Sequence, residues 1–213
     1  TIGRKTQSLV ASGGEEKAFA GTRSVTLTIA IMASVCVALG MKSRQELDHA
    51  LENGPESLQE LEKALGLIIQ AKHVVATGRS IFSPLAHLFA LGCEELSRQA
   101  MVCLETGQLR HGPTEILSCD SSLVVFRQDG PLGQLAGSFV ELQRKAGFSC
   151  VVFDASSYKA LENSITIRFP EGDDIFTVLG MMSAFQTLMI TYACAKNPYT
   201  GLPRYGSKVT TTE

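Results

Sequence analysis

The sequence contains no CxxC or CxxH pair, no strongly basic region and no apolar leader at its N-terminus. Its six cysteines are scattered singly, mostly within apolar runs, which suits buried thiols in a reducing cytoplasm better than a disulfide framework or a zinc site. A formal net charge of −2 and an isoelectric point near 6.1 leave no electrostatic footprint for nucleic acid or an anionic membrane. Because residues 1–17 lack a signal core, a cytoplasmic location is expected.

Charged residues are also scarce, at 19% of the 213 residues, whereas apolar residues make up 45%. This excess of apolar side chains is enough to bury a core, so the chain is not expected to be disordered. Its length has room for one large domain, or for one domain and a fragment of another.

Two long stretches, residues 24–41 and 175–195, contain no charged residue. Both approach the length of a membrane-spanning helix, but their Thr, Ser and Gln residues favour the alternative, a helix buried on nearly every side in an α/β protein or an oligomer. An acidic pair and a phenylalanine precede each stretch, namely Glu15, Glu16 and Phe19, then Asp173, Asp174 and Phe176. This shared approach indicates one structural element used twice.

Between these stretches, short β-branched runs alternate with helical patterns. The predicted strands are residues 73–77, 101–105, 123–127, 150–154 and 165–169, and the predicted helices include residues 82–99 and 132–146. Ser57 is placed to cap a further helix. Five nearly all-apolar strands separated by helices predict a three-layer α/β fold around a five-stranded parallel sheet. Ligands of such sheets bind at the carboxyl ends of the strands, which predicts a site among the loops that follow them.

Residues 1 to about 45 do not fit this alternating unit, because they hold one loop and one apolar helix with no strands before them. A helix that is apolar all round is not stable alone in water, since burying each Leu or Ile is worth about 1.5–3 kcal/mol. Either the helix packs on the following domain or on another chain, or the sequence starts partway through a longer protein, which is the interpretation that we favour.

The densest polar segment is GQLRHGPTE, residues 107–115, which lies between the second strand and a helix that Pro113 is expected to open. His111 in this loop is a candidate for proton transfer near neutral pH, and a histidine in a surface turn is the simpler alternative. Glu95 lies near the end of the preceding helix. It is either a base whose pKa is raised by partial burial or a solvated partner of a cation such as Arg98.

Two further segments are candidates on weaker grounds. Gly78, Arg79 and Ser80 follow a strand and precede a helix, so their backbone amides could bind an anion, but they form neither a GxGxxG nor a P-loop pattern. Lys208 stands in the terminal SKVTTTE, where a mobile charge in a tail is the simpler interpretation.

Together these segments resemble the sugar isomerase (SIS) domain family, in particular the isomerase half of glucosamine-6-phosphate synthase. Related members are aminosugar-phosphate deaminases and isomerases, and fructosamine-6-phosphate deglycases. The segments that carry the resemblance are EEKAFAGTRSVTLT from Glu15, GRSIF from Gly78, CEELS around Glu95, GQLRHGP from Gly107 and LPRYGSKVTTTE from Leu202. They span nearly the whole chain, and HGP combined with a terminal PRxxxKxxxxE is fairly specific.

The resemblance implies two SIS domains in tandem. Residues 1–45 would then be the last loop and helix of a first SIS domain, residues 55–196 the complete second domain with a flavodoxin-like sheet, and residues 197–213 a tail that closes over the active site. The resemblance also implies a homo-oligomer, at least a dimer, with sites shared between subunits. It implies no metal or organic cofactor, no nucleic acid and no membrane partner.

The resemblance further assigns roles to individual residues. Glu95 matches the base that moves a proton between C1 and C2 of the sugar, and His111 matches a ring-opening histidine that reaches a neighbouring subunit's site. Lys208 matches the tail lysine that closes over the open-chain carbonyl. The residues expected to bind the sugar 6-phosphate are Gly78, Arg79, Ser80, Ala20, Gly21, Thr22 and Ser207.

Two positions depart from the synthase pattern, which has a lysine three residues before the base and another glutamate seven before it. Here these positions are Gly92 and Leu88, which disfavours synthase-like isomerisation. The chain also lacks an amidotransferase half. The expected function is therefore an enzyme that isomerises, deaminates or deglycates a ketose or aminosugar 6-phosphate. The alternative is a non-catalytic sugar-phosphate sensor, which would need no base.

Overall fold

A computed structural model of the protein describes residue 14 and residues 16–206, and shows alternating helices and strands after two N-terminal helices. The helices are α1 (Arg23–Ala38), α2 (Arg44–Glu52), α3 (Leu58–Gln70), α4 (Phe82–Ser97), α5 (Thr106–Leu109), α6 (Gly130–Lys145) and α7 (Ile175–Lys196). The strands are β1 (His73–Gly78), β2 (Val102–Glu105), β3 (Ser121–Arg127), β4 (Ser149–Asp154) and β5 (Ile165–Arg168). The five predicted strands are confirmed, with boundaries that differ by one or two residues.

The strands form one parallel sheet in the order β2-β1-β3-β4-β5. Gly78 at the end of β1 is in register with Glu105 of β2 and with Phe126 of β3. Because helices cover both faces, every residue of β3 is buried. The predicted three-layer α/β fold with a five-stranded parallel sheet is therefore confirmed.

Each face of the sheet has its own apolar core. On one face, α3, α4 and α7 cover a cluster that contains Phe89, Phe126 and Phe185, whose ring centroids lie 6.0–6.5 Å apart. On the other face, β3 and β4 pack against α6 through residues such as Val125 and Phe139. Each fully buried side chain of this size stabilises the fold by about 1.5–3 kcal/mol.

Helix α7 is the second uncharged stretch, and it is the one described helix that is long and apolar enough to cross a membrane. In this structure 61% of the most apolar 18-residue segment of α7 is buried, and the helix packs against α2, α3 and α4. Asp174 caps its N-terminus by accepting hydrogen bonds from the backbone N–H groups of Phe176 and Thr177. The burial is that of a core helix, the alternative that the sequence favours.

Helix α1, the first uncharged stretch, is much less buried than expected. Ala33 is its one buried residue, while the side chain of Met32 is 52% exposed. The helix lies along α7, where the Gln186 side chain donates hydrogen bonds to the Thr22 carbonyl at 3.0 Å and to the Thr26 hydroxyl at 3.1 Å. Within this single chain α7 and α2 contact α1 and the rest of the helix is open, so its burial on nearly every side of a larger protein or an oligomer stays a prediction.

Two local features differ from the sequence analysis. Helix α2 was not predicted, and it begins with a capping box in which Ser43 accepts from the Glu46 N–H and the Glu46 side chain accepts from the Ser43 N–H. Pro113 opens a single 3₁₀ turn, Pro113–Ile116, instead of a longer helix. The predicted cap of α3 is present, since Ser57 Oγ accepts from the N–H of Glu60 at 3.4 Å.

Candidate active site

Glu95 lies on the last turn of α4, with its side chain exposed. The opposite side of α4 is buried in the core through residues such as Phe89 and Cys93, so the helix holds Glu95 on a rigid support. The neighbouring Glu94 has a structural contact, because its Oε1 accepts a hydrogen bond from the Met101 N–H at 3.0 Å. Neither glutamate forms the ion pair with Arg98 that the sequence analysis considered. Glu95 is thus available to a ligand.

The chain that follows α7 is fastened to the end of α4. The buried Asn197 side chain donates a hydrogen bond to the Leu96 carbonyl at 2.8 Å. Arg98 Nη2 donates to the Leu202 carbonyl at 3.0 Å, and its guanidinium lies 5.9 Å from the ring centroid of Tyr199. These contacts direct the tail across the helix end that carries Glu95.

Glu95, the tail and the N-terminal segment meet in one open cleft of about 460 Å³. Its wall contains Phe19 from the segment before α1, Glu95 from α4 and residues 202–206 from the tail. A Cβ at Gly206 would lie 3.8 Å from the Phe19 ring, so tail and N-terminal segment are in contact. Ser207 and Lys208, for which the sequence predicts roles at this site, lie outside the described residues.

The predicted binding segment Ala20, Gly21 and Thr22 follows Phe19 of this cleft in sequence, and Thr22 and the two residues after it already bind the Glu16 carboxylate. The Glu16 carboxylate accepts from the backbone N–H groups of Thr22 and Arg23 at 3.0 Å, and from the hydroxyl of Thr22. It also accepts from the N–H and hydroxyl of Ser24. Burial raises the pKa of Glu16, but the hydrogen bonds from Ser24 and Thr22 outweigh it and lower the pKa to about 2. These donors are therefore occupied by a carboxylate at neutral pH.

The other predicted binding segment, Gly78, Arg79 and Ser80, lies at the opposite end of α4. A helix rises about 1.5 Å per residue, which puts its first residue about 20 Å from Glu95. A glycine is needed at Gly78, because a Cβ there would sit 2.4 Å from the Phe82 carbonyl oxygen. Glu95 and this loop thus lie far apart within one protomer, and the role of Gly78, Arg79 and Ser80 in binding the sugar 6-phosphate stays a prediction.

His111 is exposed in the loop between β2 and the 3₁₀ turn, and it does not line the Glu95 cleft. The beginning of its loop is held firmly. Glu105 accepts hydrogen bonds from the Gly107 and Gln108 N–H groups, and Thr77 Oγ1 lies 3.0 Å from the hydroxyl oxygen of Thr106. The structure thus places Glu95 and the tail together in one chain, and His111 apart from them.

Four residues that line the cleft are not among the predicted site residues, namely Phe19, Arg98, Arg204 and Tyr205. Phe19, Arg204 and Tyr205 lie within segments that carry the family resemblance, so the resemblance could have indicated that they line the site. Arg98 gave no such signal, since its contact with Leu202 joins residues 104 positions apart in the sequence.

No protein-family model matches the chain. The sequence is 25% identical over 219 residues to the isomerizing glutamine–fructose-6-phosphate aminotransferase of Haemophilus influenzae, an alignment that covers 94% of this chain and 35% of that protein. The chain therefore spans about a third of the length of the curated relatives that it matches.

Solved structures with the same fold include the C-terminal domain of glucosamine–fructose-6-phosphate aminotransferase from Francisella tularensis. It superposes with a TM-score of 0.70 at 21% identity, over 90% of this chain and 58% of that chain. Glucosamine-6-phosphate deaminase from Thermotoga maritima gives 0.68 at 16% identity, over 92% and 58%. The NanR protein of Vibrio vulnificus complexed with ManNAc-6P gives 0.57 at 10% identity, over 79% and 70%. The sugar isomerase domain of the RpiR transcription factor from Sphaerobacter thermophilus gives 0.56 at 14% identity, over 71% and 86%.

These similarities define the class first: the chain has the α/β fold of a sugar isomerase (SIS) domain. More particularly, it is homologous to the isomerase (SIS) domain of glutamine–fructose-6-phosphate aminotransferase. Its structural neighbours include both enzymes and a transcription factor, so the fold leaves catalysis and regulation open.

Proposed function

We propose that this chain is a cytoplasmic enzyme that binds a ketose or aminosugar 6-phosphate and moves a proton between C1 and C2 of the sugar. The observation that carries the proposal is the convergence of Glu95, the N-terminal segment and the tail on one cleft of about 460 Å³. Aldose–ketose isomerisation, deamination and ketosamine deglycation all begin with this proton abstraction, so one base serves each of them.

Glu95 is the base of this proposal. A carboxylate on a rigid helix can remove a proton from one carbon and return it to the next on the same face of the enediolate. His111 and Lys208 are proposed as the acids that open the ring and polarise the carbonyl. The described part of the tail ends at Gly206, which lines the same cleft as Glu95. Lys208 follows two residues later in the sequence.

His111 requires a second copy of the chain in this proposal. It is exposed on a well-anchored loop outside the cleft of its own protomer. We therefore propose a homodimer or larger oligomer in which His111 of one protomer serves the cleft of the next. Sites built from two copies are common in symmetric oligomers, because the same loop approaches the same cleft twice across a two-fold axis.

The second candidate function is a non-catalytic sugar-phosphate sensor. Glu95 is exposed and accepts no hydrogen bond from the described residues, and Gly92 and Leu88 stand where the synthase pattern has polar support. A structural neighbour is the sugar isomerase domain of a transcription factor, which shows that this fold is compatible with regulation. A sensor would bind sugar phosphates tightly and exchange none of their protons.

A deuterium-exchange experiment separates the two functions. The protein is incubated in D₂O with fructose 6-phosphate, glucosamine 6-phosphate or a ketosamine 6-phosphate, and exchange at C1 and C2 is followed by NMR. We expect exchange with one of them, its loss in Glu95→Gln, and retention in the control Glu62→Gln, an exposed residue of α3. Binding by Glu95→Gln should stay close to that of the parent. Binding without exchange in the parent would favour the sensor.

A further inference from the structure

The base of the loop that carries His111 is built around one carboxylate. Glu105, the last residue of β2, accepts hydrogen bonds from the backbone N–H groups of Gly107 and Gln108, the latter at 3.3 Å. These N–H groups belong to the first turn of α5, where no acceptor within the helix is available to them. The carboxylate therefore fixes the course of the chain up to three residues before His111.

Gly107 leaves the space that this carboxylate occupies. A Cβ on Gly107 would lie 2.6 Å from Glu105 Oε2 and 3.5 Å from Arg79 Nη2. Contacts as short as 2.6 Å are not tolerated, so a side chain at this position would displace the carboxylate from the N–H groups that it binds. The glycine backbone, the carboxylate and the Arg79 guanidinium thus lie in direct contact at the carboxyl edge of β1 and β2.

The guanidinium of Arg79 is withdrawn from solvent and faces Glu105. Its Nη1 lies 3.8 Å from Glu105 Oε1, the one carboxylate within 4.0 Å of this side chain in the described part of the chain. The Arg79 side chain is 15% exposed, and its Nε is buried without a hydrogen-bond partner. Burying a charged group is costly unless an opposite charge faces it. Glu105 is therefore the group that offsets the burial of this charge.

An uncharged contact fastens the same turn to β1. Thr77 Oγ1 donates to the Leu104 carbonyl at 2.8 Å and lies 3.0 Å from the hydroxyl oxygen of Thr106, and both threonines are fully buried. A hydroxyl has one proton to donate, so Thr106 is the donor between the two threonines. Leu109 is also fully buried, which leaves the exposed His111 two residues beyond a firmly held turn.

We propose that Arg79 is a positioning residue for His111. It holds the Glu105 carboxylate against the first turn of α5 and thereby fixes the loop that presents His111 to a neighbouring cleft. This inference rests on the proposed function, in which His111 acts as an acid on a sugar bound by another protomer. An acid is effective when it is held within hydrogen-bond reach of the atom that it protonates. A displaced loop would therefore slow the reaction without weakening substrate binding.

Amide hydrogen exchange of the full chain, measured by mass spectrometry without substrate, tests the positioning directly. We expect Arg79→Gln to speed exchange in residues 106–111 by roughly tenfold or more, because the acceptor of the first N–H groups of α5 is no longer held. Gly107→Ala leaves Arg79 in place but displaces the Glu105 carboxylate, and it should loosen the same residues. Arg44→Gln removes an equal charge from an exposed pair on α2 and should change nothing.

Deuterium exchange into the sugar phosphate that the parent turns over tests the effect on the reaction. We expect Arg79→Gln to lower kcat by roughly tenfold or more while KM changes by less than about twofold. Co-expression with Glu95→Gln should restore activity, because the Glu95→Gln protomer then supplies a well-positioned His111 to the intact cleft. Co-expression with His111→Gln should not restore it, since both variants impair the same loop.

The outcomes separate this inference from the proposed function. Unchanged amide exchange in Arg79→Gln would overturn the inference and leave the proposed function untouched. A rise in KM with kcat unchanged would also overturn it, because the guanidinium would then bind the phosphate of the sugar. A parent that exchanges no proton of any sugar phosphate would contradict the proposed function itself, and with it the role of Arg79 in the reaction.

Discussion

Gly92 of α4 lies so close to Met189 of α7 that a Cβ on the glycine would sit 2.1 Å from the methionine Sδ. The Met189 side chain thus occupies the space that a side chain at position 92 would need. The synthase pattern has a lysine at this position, three residues before Glu95, and a lysine here would require the Met189 side chain to move. Gly92 is therefore a packing position between α4 and α7 in this structure.

Substitution of this glycine should destabilise the protein. We expect Gly92→Ala to lower the free energy of unfolding by about 1–3 kcal/mol, because the added methyl group overpacks the α4–α7 contact. Urea denaturation followed by circular dichroism measures the change. Gly66→Ala on α3, where nothing lies within 4 Å of an added Cβ, should instead stabilise by up to about 1 kcal/mol. Equal effects of the two substitutions would contradict the packing argument.

Glu16 should contribute a pH-dependent part of the stability. Replacing it with Gln keeps a hydrogen-bond acceptor but removes the charge at the N-terminus of α1, which we expect to cost about 0.3–1 kcal/mol at pH 7. Because hydrogen bonds from Ser24 and Thr22 lower the pKa to about 2 against the opposing effect of burial, this contribution is complete above pH 4.5 and disappears as the pH falls toward 2. Urea denaturation of parent and variant between pH 2 and 7 tests it.

Lys17→Gln is the control for that measurement, since Lys17 is exposed and adjacent in sequence. A stability difference between parent and Glu16→Gln that stays constant from pH 7 to pH 2 would show that the carboxylate charge has no part in capping α1.

The elements that the sequence predicts well are those whose side chains report local burial. Strands β3 and β4 contain the apolar runs LVVF and CVVF, and such runs occur where helices cover both faces of a sheet. Helix α2 was missed because it is short and polar, and its capping box of Ser43 and Glu46 is a weaker pattern than an apolar period. The exposure of α1 in a single chain does not contradict its apolar sequence, because hydropathy does not indicate whether the same chain or another supplies the neighbours.

The candidate site was only partly predictable for a different reason. Glu95 is predicted from a family motif. The position of the Arg98 side chain depends on a hydrogen bond to the Leu202 carbonyl, which no local sequence pattern encodes. The Gly78 loop and Glu95 lie at the two ends of α4, so a ligand that contacts both would have to be shared between protomers, which stays a prediction.

Mixed oligomers should reveal whether His111 serves a neighbouring cleft. We expect Glu95→Gln and His111→Gln each to be inactive, and a mixture formed by co-expression to regain roughly a quarter of the parent activity. Half of the randomly formed dimers contain one copy of each variant, and one of their two sites is then intact. Deuterium exchange on the sugar phosphate identified with the parent measures the recovery.

Co-expression of Glu95→Gln with Lys208→Ala is the matched control. If Glu95 and Lys208 act in the cleft of one protomer, no dimer of these variants contains an intact site, and activity should stay absent. Recovery in this control, or none with His111→Gln, would show that the site is not assembled as proposed.

Asp154 should be among the most sensitive positions of the carboxyl edge of the sheet. It is fully buried at the end of β4, with its Oδ2 3.2 Å from the Nη1 atoms of both Arg127 and Arg168. Asp154→Asn leaves these guanidinium groups without their anion, and we expect a loss of about 3–5 kcal/mol in urea denaturation. Asp129→Asn removes only the charge of a carboxylate that accepts hydrogen bonds from the N–H and hydroxyl of Ser157, and it should cost less than about 1 kcal/mol. A loss at Asp154 no larger than that at Asp129 would mean that the two arginines are solvated rather than held by this carboxylate.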